Sequence, residues 1–263
     1  MYSPLYILYL AMTIDSLTYS LGALLYGSPI PIYSIKRLGQ KMITDAIQVA
    51  IWANLFYFII NLINQIQSYV GANWNVFYSV GYLLEVQLSI YINAFKTLYT
   101  VLDTVISYFR LNIIFSPLIL PLLQYATFLT DLAMLLSFYI DLGILIQSAY
   151  EIFISIGILL MALPFRIGKG IGSLLISSTI IFYIGLPILP LLILSAAPTN
   201  LNTLLSEYFS LGEQIVIADI PLLVYAYIVL PVIYISILAG FSAILSSFLS
   251  GYAGRIPFPI EIG

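Results

Sequence analysis

Long apolar stretches broken by short polar interruptions cover almost the whole chain. A helix that crosses a bilayer needs about 20 mainly apolar residues, each rising about 1.5 Å. On that measure the pattern predicts about seven crossings, with six as the lower count: residues 2–26, 43–70, 75–110, 112–140, 143–163, 171–194 and 221–249. Asp15 alone interrupts the first, and residues 27–41, holding Pro29, Pro31, Lys36, Arg37 and Lys41, read as a linker. The third has no proline and only Gly81, so it is predicted as one unusually long helix of about 54 Å. Residues 112–164 have room for two crossings with a turn at Asp141-Leu-Gly143; the alternative is one helix from Leu122 to Leu163, about 60 Å long. Leu201–Leu211 alternates apolar and polar positions at near-helical spacing, which suits a helix lying in the membrane interface. Residues 1–263 therefore read as a single membrane domain, an all-α polytopic protein.

The clearest polar punctuation is ALPFRIGKGIGS, beginning at Ala162. Pro164 ends an apolar run, Arg166 and Lys169 sit among Gly168 and Gly170, and the next apolar run closes at Pro187 and Pro190. This is the pattern of a short hairpin between two membrane helices. Gly168-x-Gly170-x-Gly172 lacks the G-x-x-x-x-G-K-[ST] order of a phosphate loop and belongs to no βαβ unit, so it reads as a turn with cations at headgroup level. In a seven-span chain Lys36, Arg37, Lys41, Arg110, Arg166, Lys169 and Arg255 all fall on one side, with only Lys96 inside a helix. The positive-inside rule then puts the N-terminus outside and the C-terminus in the cytoplasm. MYSPLYILYL lacks a cationic n-region and a small-residue cleavage site, and reads as a retained first span.

Composition narrows the function. The chain is 62% hydrophobic and 7% charged, against about 25% charged residues in soluble domains. That points to a multi-pass protein of the cell membrane, in contact with lipid throughout. Cysteine and histidine are both absent, which removes thiol nucleophiles, disulfides and most zinc, copper, haem and iron–sulfur sites. It also removes the usual base near neutral pH. No enzyme, cofactor or metal is expected. With 8 basic and 11 acidic residues there is no cationic surface for stable nucleic-acid binding. The 22 tyrosines suit interfacial belts and packing between helices.

Intramembrane charges are costly and mark function. Glu85, Lys96, Asp103 and Arg110 fall within about 40° of one another at 100° per residue, a stripe of alternating sign on one helix. Such a stripe lines a subunit interface or an aqueous cavity, coordinates a transported ion, or makes salt bridges to acids such as Asp131 or Glu151. Asp131, Asp141 and Glu151 each turn about 80° from the last and form no relay. Asp15 is a further intramembrane acid. In the final span Ser236, Gly240, Ala243, Ser247 and Gly251 form a small-residue face for close helix packing, within the chain or between copies.

Pro164, Arg166, the Gly168/Gly170 turn, the apolar run Leu174–Ile184 and Pro187 together resemble a pattern in the polytopic membrane subunit of archaeal DNA-transfer machines. The resemblance is to the CedA-like subunit of the crenarchaeal Ced system for DNA import, itself similar to TrbL-type inner-membrane components of conjugation and type IV secretion machines. It implies a non-enzymatic channel or platform subunit, a homo-oligomer, acting with a pilin and a separate cytoplasmic ATPase, with DNA as cargo. The rival expectation is a small-solute or ion permease.

Overall fold

In a computed structural model of the chain, which describes residues 3–29, 32–109, 112–197 and 220–251, the regular elements are all helical. They are α1 (Pro4–Gly27), α2 (Tyr33–Asn54), α3 (Phe56–Tyr69), α4 (Trp74–Tyr108), α5 (Asn112–Met161), α6 (Lys169–Gly185), α7 (Leu189–Ala196) and α8 (Ile220–Ser250). Two compact units divide them. The first comprises Met1–Ala72, Leu145–Gly185 and Ser236–Gly263; the second comprises Asn73–Ile144 and Leu186–Ile235.

In the first unit α1 and α2 pack along their length. Their closest approach is glycine on glycine: a Cβ on Gly39 would lie 2.7 Å from the Gly22 carbonyl oxygen and the Tyr26 nitrogen. Small residues give helices in lipid this intimacy, where no hydrophobic effect drives them together. The Thr18 hydroxyl then donates to the Ala162 carbonyl at 2.7 Å, tying α1 to the end of α5. The α5–α6 hairpin uses the same device, because a Cβ on Gly172 would strike the Gly157 carbonyl and Met161. Further along, the Tyr150 and Tyr183 rings stack at 4.2 Å. The Tyr183 hydroxyl donates to Asn64 Oδ1 at 3.3 Å and so brings in α3.

In the second unit Asn73 starts α4 by accepting the Asn75 N–H at 2.8 Å. With no proline, α4 runs 35 residues, about 52 Å. Its buried face is Phe77, Leu84, Leu88, Tyr91 and Phe95. Phe95 meets Tyr125 of α5 edge-to-face at 4.6 Å. In α8, Tyr225–Val229 is a π-turn. Pro231 follows, with no N–H to offer the Tyr227 carbonyl and a ring that would crowd it; the wider turn relieves that crowding.

The membrane-spanning class is the one expected, but the number of crossings is not. Among the described residues four helices are long and apolar enough to cross, and the bent pair α2–α3, which meets at 62°, makes a fifth. Two features account for the loss of two spans. First, α5 is unbroken for 50 residues, about 75 Å, through Asp141-Leu-Gly143. Gly143 is not a turn residue; a Cβ there would collide with the Phe77 ring, so glycine serves the α4–α5 contact. Second, α4 is too polar along one side to stand among the apolar spans. The linker expected at 27–41 is also mostly helix, since α2 begins at Tyr33 and carries Lys36, Arg37 and Lys41 on its first turns. Because Arg110 precedes α5 and Arg166 follows it, the even number of crossings expected between them is absent. Sidedness drawn from seven cations therefore does not stand in that form. The expected interfacial helix at Leu201–Leu211 lies outside the described residues.

Candidate functional site

Two polar features stand out, one in each unit. In the first unit the hairpin cations meet α2. Lys169, buried at 4% exposure, donates to Asp45 Oδ1, and also to Gln48 Oε1 at 3.1 Å. Arg166 Nε lies 2.8 Å from Asp45 Oδ2. One buried carboxylate therefore sits between two cations that follow it by more than 120 residues. The turn that delivers them is strained: Phe165 and Arg166 have φ of 59° and 65°. Two adjacent side-chain-bearing residues in the left-handed region cost about 1–2 kcal/mol each. Gly168 next to them abuts the Leu160 carbonyl, leaving no room for a Cβ, whereas Gly170 has nothing within 4 Å. Gly168 therefore serves close packing, and Gly170 faces open space. Pro164 opens the short 3-10 turn Pro164–Arg166, while Pro187 is buried in another, Leu186–Ile188, in the second unit.

In the second unit, one face of α4 is polar and uncovered. At 100° per residue, Glu85, Lys96 and Asp103 share an arc of about 120° with Ser89, Asn93, Thr97, Thr100, Thr104 and Ser107. Val86 is the one apolar residue between positions 85 and 107 in that arc. Glu85 is half-buried and accepts the Ser137 hydroxyl of α5 at 3.2 Å; the others are exposed. Ser89, Thr100 and Thr104 donate back to the helix at 2.7–2.8 Å, so their oxygens turn lone pairs outward. Among the described residues Lys96 and Asp103 form no ion pair. Among the described residues of the second unit Lys96 forms no salt bridge to Asp131, which is exposed; in the first unit the half-buried Glu151 accepts the Tyr150 hydroxyl at 3.2 Å. Arg110 lies outside the described residues. Asp141 is exposed on α5.

Asp15 is buried, and its Oδ1 has no hydrogen-bond partner among the described residues. The small-residue face of α8 lies elsewhere than on its packed side. Ser236, Gly240, Ala243 and Gly251 are exposed and Ser247 is half-buried. The face that packs on α6 is Leu238, Ser242 and Ser246, with hydroxyl contacts Ser173–Ser246 at 3.1 Å and Ser177–Ser242 at 3.4 Å. Sequence reading missed Asp45 as the partner of the knot. The available signal was a lone acid inside an apolar stretch, which must find a cation. It also caught only the charges of the α4 stripe, although the Ser, Thr and Asn positions that complete it follow the same 100° periodicity.

These features define a polytopic, all-helical membrane protein with a buried charge cluster at a helical hairpin and a long amphipathic helix. A family profile described as DNA import protein CedA1 matches residues 1–69. The DNA import protein CedA of Sulfolobus acidocaldarius is 30% identical over 279 residues, covering all of both chains. The chain belongs to the CedA family of DNA import proteins. No solved structure matches it.

Proposed function

We propose that this chain is a channel or platform subunit of a DNA-import machine in the cell membrane. Copies assemble so that their α4 stripes face an aqueous path or one another. The observation that carries the reading is the uncovered arc on α4, with Lys96 and Asp103 exposed and unpaired among the described residues. A charge set against lipid hydrocarbon costs up to about 2.5–3.5 kcal/mol, so the stripe of α4, a helix that is not among the apolar spans, calls for water or another protein surface against it. The exposed Gly240–Ala243 face of α8 is a second surface on which copies can meet closely. Family membership supports DNA as the cargo, and the resemblance supports a pilin and a separate cytoplasmic ATPase as partners. Lys41, Arg166, Lys169 and Gly251 line one cavity, which supports a shared cytoplasmic side for the start of α2, the hairpin and the end of α8, with the N-terminus opposite.

The test is DNA transfer between cells. A deletion strain loses it, wild-type chain restores it, and a Lys96→Leu/Asp103→Leu variant present at equal membrane level does not. Full restoration by that variant overturns the reading. A second reading, an ion- or solute-coupled permease, is favoured by one observation, the buried and incompletely paired Asp15 carboxyl. It requires growth or solute uptake to fail in an Asp15→Asn strain whose DNA transfer is intact.

A further inference from the structure

Around the buried cluster of the first unit lies a cavity of about 630 Å³, lined by Lys41, Thr44, Asp45, Gln48, Arg166 and Lys169 among others. Among the described lining residues three are cations and one is an acid, a surplus of two positive charges. Asp45 is engaged by both Lys169 and Arg166, so it positions them without neutralising the set. The strained left-handed turn at Phe165–Arg166 aims Arg166 inward. A cation that only anchored a loop at the interface could occupy any relaxed conformation. Strain retained at one spot, beside a cavity with surplus charge, points to a ligand.

We propose that this cavity binds one phosphate group, that of an anionic membrane lipid headgroup. The chemistry follows from the donors. A guanidinium and two ammonium groups suit the several oxygens of a phosphate better than the two of a carboxylate; the Thr44 hydroxyl donates to the Gln40 carbonyl and the Gln48 amide to the Leu249 carbonyl, so these two shape the cavity. Among the described residues no aromatic side chain lines the cavity, so these residues offer no platform on which nucleobases would stack. The lipid source follows from the flanks. Phe165, Ile167 and Ile171, which bracket Arg166 and Lys169, are 52%, 75% and 65% exposed. An apolar rim beside a cationic cavity, where α6 begins its apolar run, matches hydrocarbon next to a headgroup. The knot thus engages phosphate through side chains, while its Gly168 serves packing.

The experiment uses the full chain in neutral detergent, with native mass spectrometry and intrinsic tryptophan fluorescence as readouts. Phosphatidylglycerol, a phosphate-free galactolipid, inorganic phosphate and a single-stranded oligonucleotide are titrated separately. Phosphatidylglycerol is expected to be retained at one copy per chain and to raise the melting temperature saturably, with the galactolipid doing neither. Lys41→Gln removes an exposed rim cation and is expected to leave the lipid-free melting temperature unchanged while weakening retention about tenfold. Arg166→Gln tests the inner donor. If it misfolds, Lys41→Gln still decides the matter. Equal retention by wild type and the folded variants overturns the proposal. So does equal retention of the galactolipid, stabilisation by inorganic phosphate without lipid, or saturable oligonucleotide binding that depends on the same residues.

Discussion

Replacing Asp45 with Asn keeps its shape and removes the single negative charge between Lys169 and Arg166. The Lys169 side chain is 5% exposed and Arg166 26%, so the two losses differ in size. Lys169 would be left as a desolvated ammonium, held by Gln48 and the new amide alone. Breaking a buried pair from one side costs about 3–5 kcal/mol. The partial exposure of Arg166 lets water screen its share, which places the expected loss at the low end, about 3 kcal/mol. Lys169→Met should cost less, about 1–2 kcal/mol, because Asp45 keeps Arg166 and an apolar side chain suits the buried position. The double variant should be more stable than the sum of the two losses implies, by about 1–2 kcal/mol, since it carries no stranded ammonium. Reversible unfolding in mixed micelles of mild detergent and SDS measures all four corners of the cycle. Wild-type stability in Asp45→Asn, or strict additivity in the double variant, would refute the claim that this carboxylate neutralises a buried cation.

Three further outcomes follow from local geometry. Gly172→Ala should destabilise the hairpin by about 1–3 kcal/mol by overpacking against the Gly157 carbonyl and Met161; Gly170→Ala, facing open space, should be neutral or slightly stabilising in the same unfolding assay. Phe165→Gly should raise stability by up to about 1 kcal/mol, because the ring is half in solvent or lipid while its φ of 59° is the strained one; a loss would show that the ring packs. Thr100→Leu and Thr104→Leu on the exposed arc of α4 should leave the isolated chain's unfolding unchanged within about 0.5 kcal/mol yet impair assembly, read as oligomer size in detergent and as DNA transfer in cells.

Much of this protein was legible along the chain because lipid imposes simple requirements. Every backbone group must be satisfied locally, so apolar length alone announces helices, and a nearly charge-free composition announces the membrane. The hairpin at Pro164–Gly170 was legible for the same reason: proline, glycine and cations mark where apolar runs stop. Periodicity at 100° per residue also placed Glu85, Lys96 and Asp103 on one face before any packing was known. Contacts between distant segments decided the rest. Whether Gly143 ends a helix or accommodates a neighbour depends on Phe77, 66 positions earlier, and local propensity says nothing about that ring. The packed face of α8 was decided by the serines of α6 rather than by its own row of small residues. Asp45 and Lys169, 124 residues apart, were individually costly charges in an apolar chain. Their pairing, and the cavity around it, came only from the tertiary fold, because the energy that selects a partner for a buried charge resides in a contact that no local window of sequence contains.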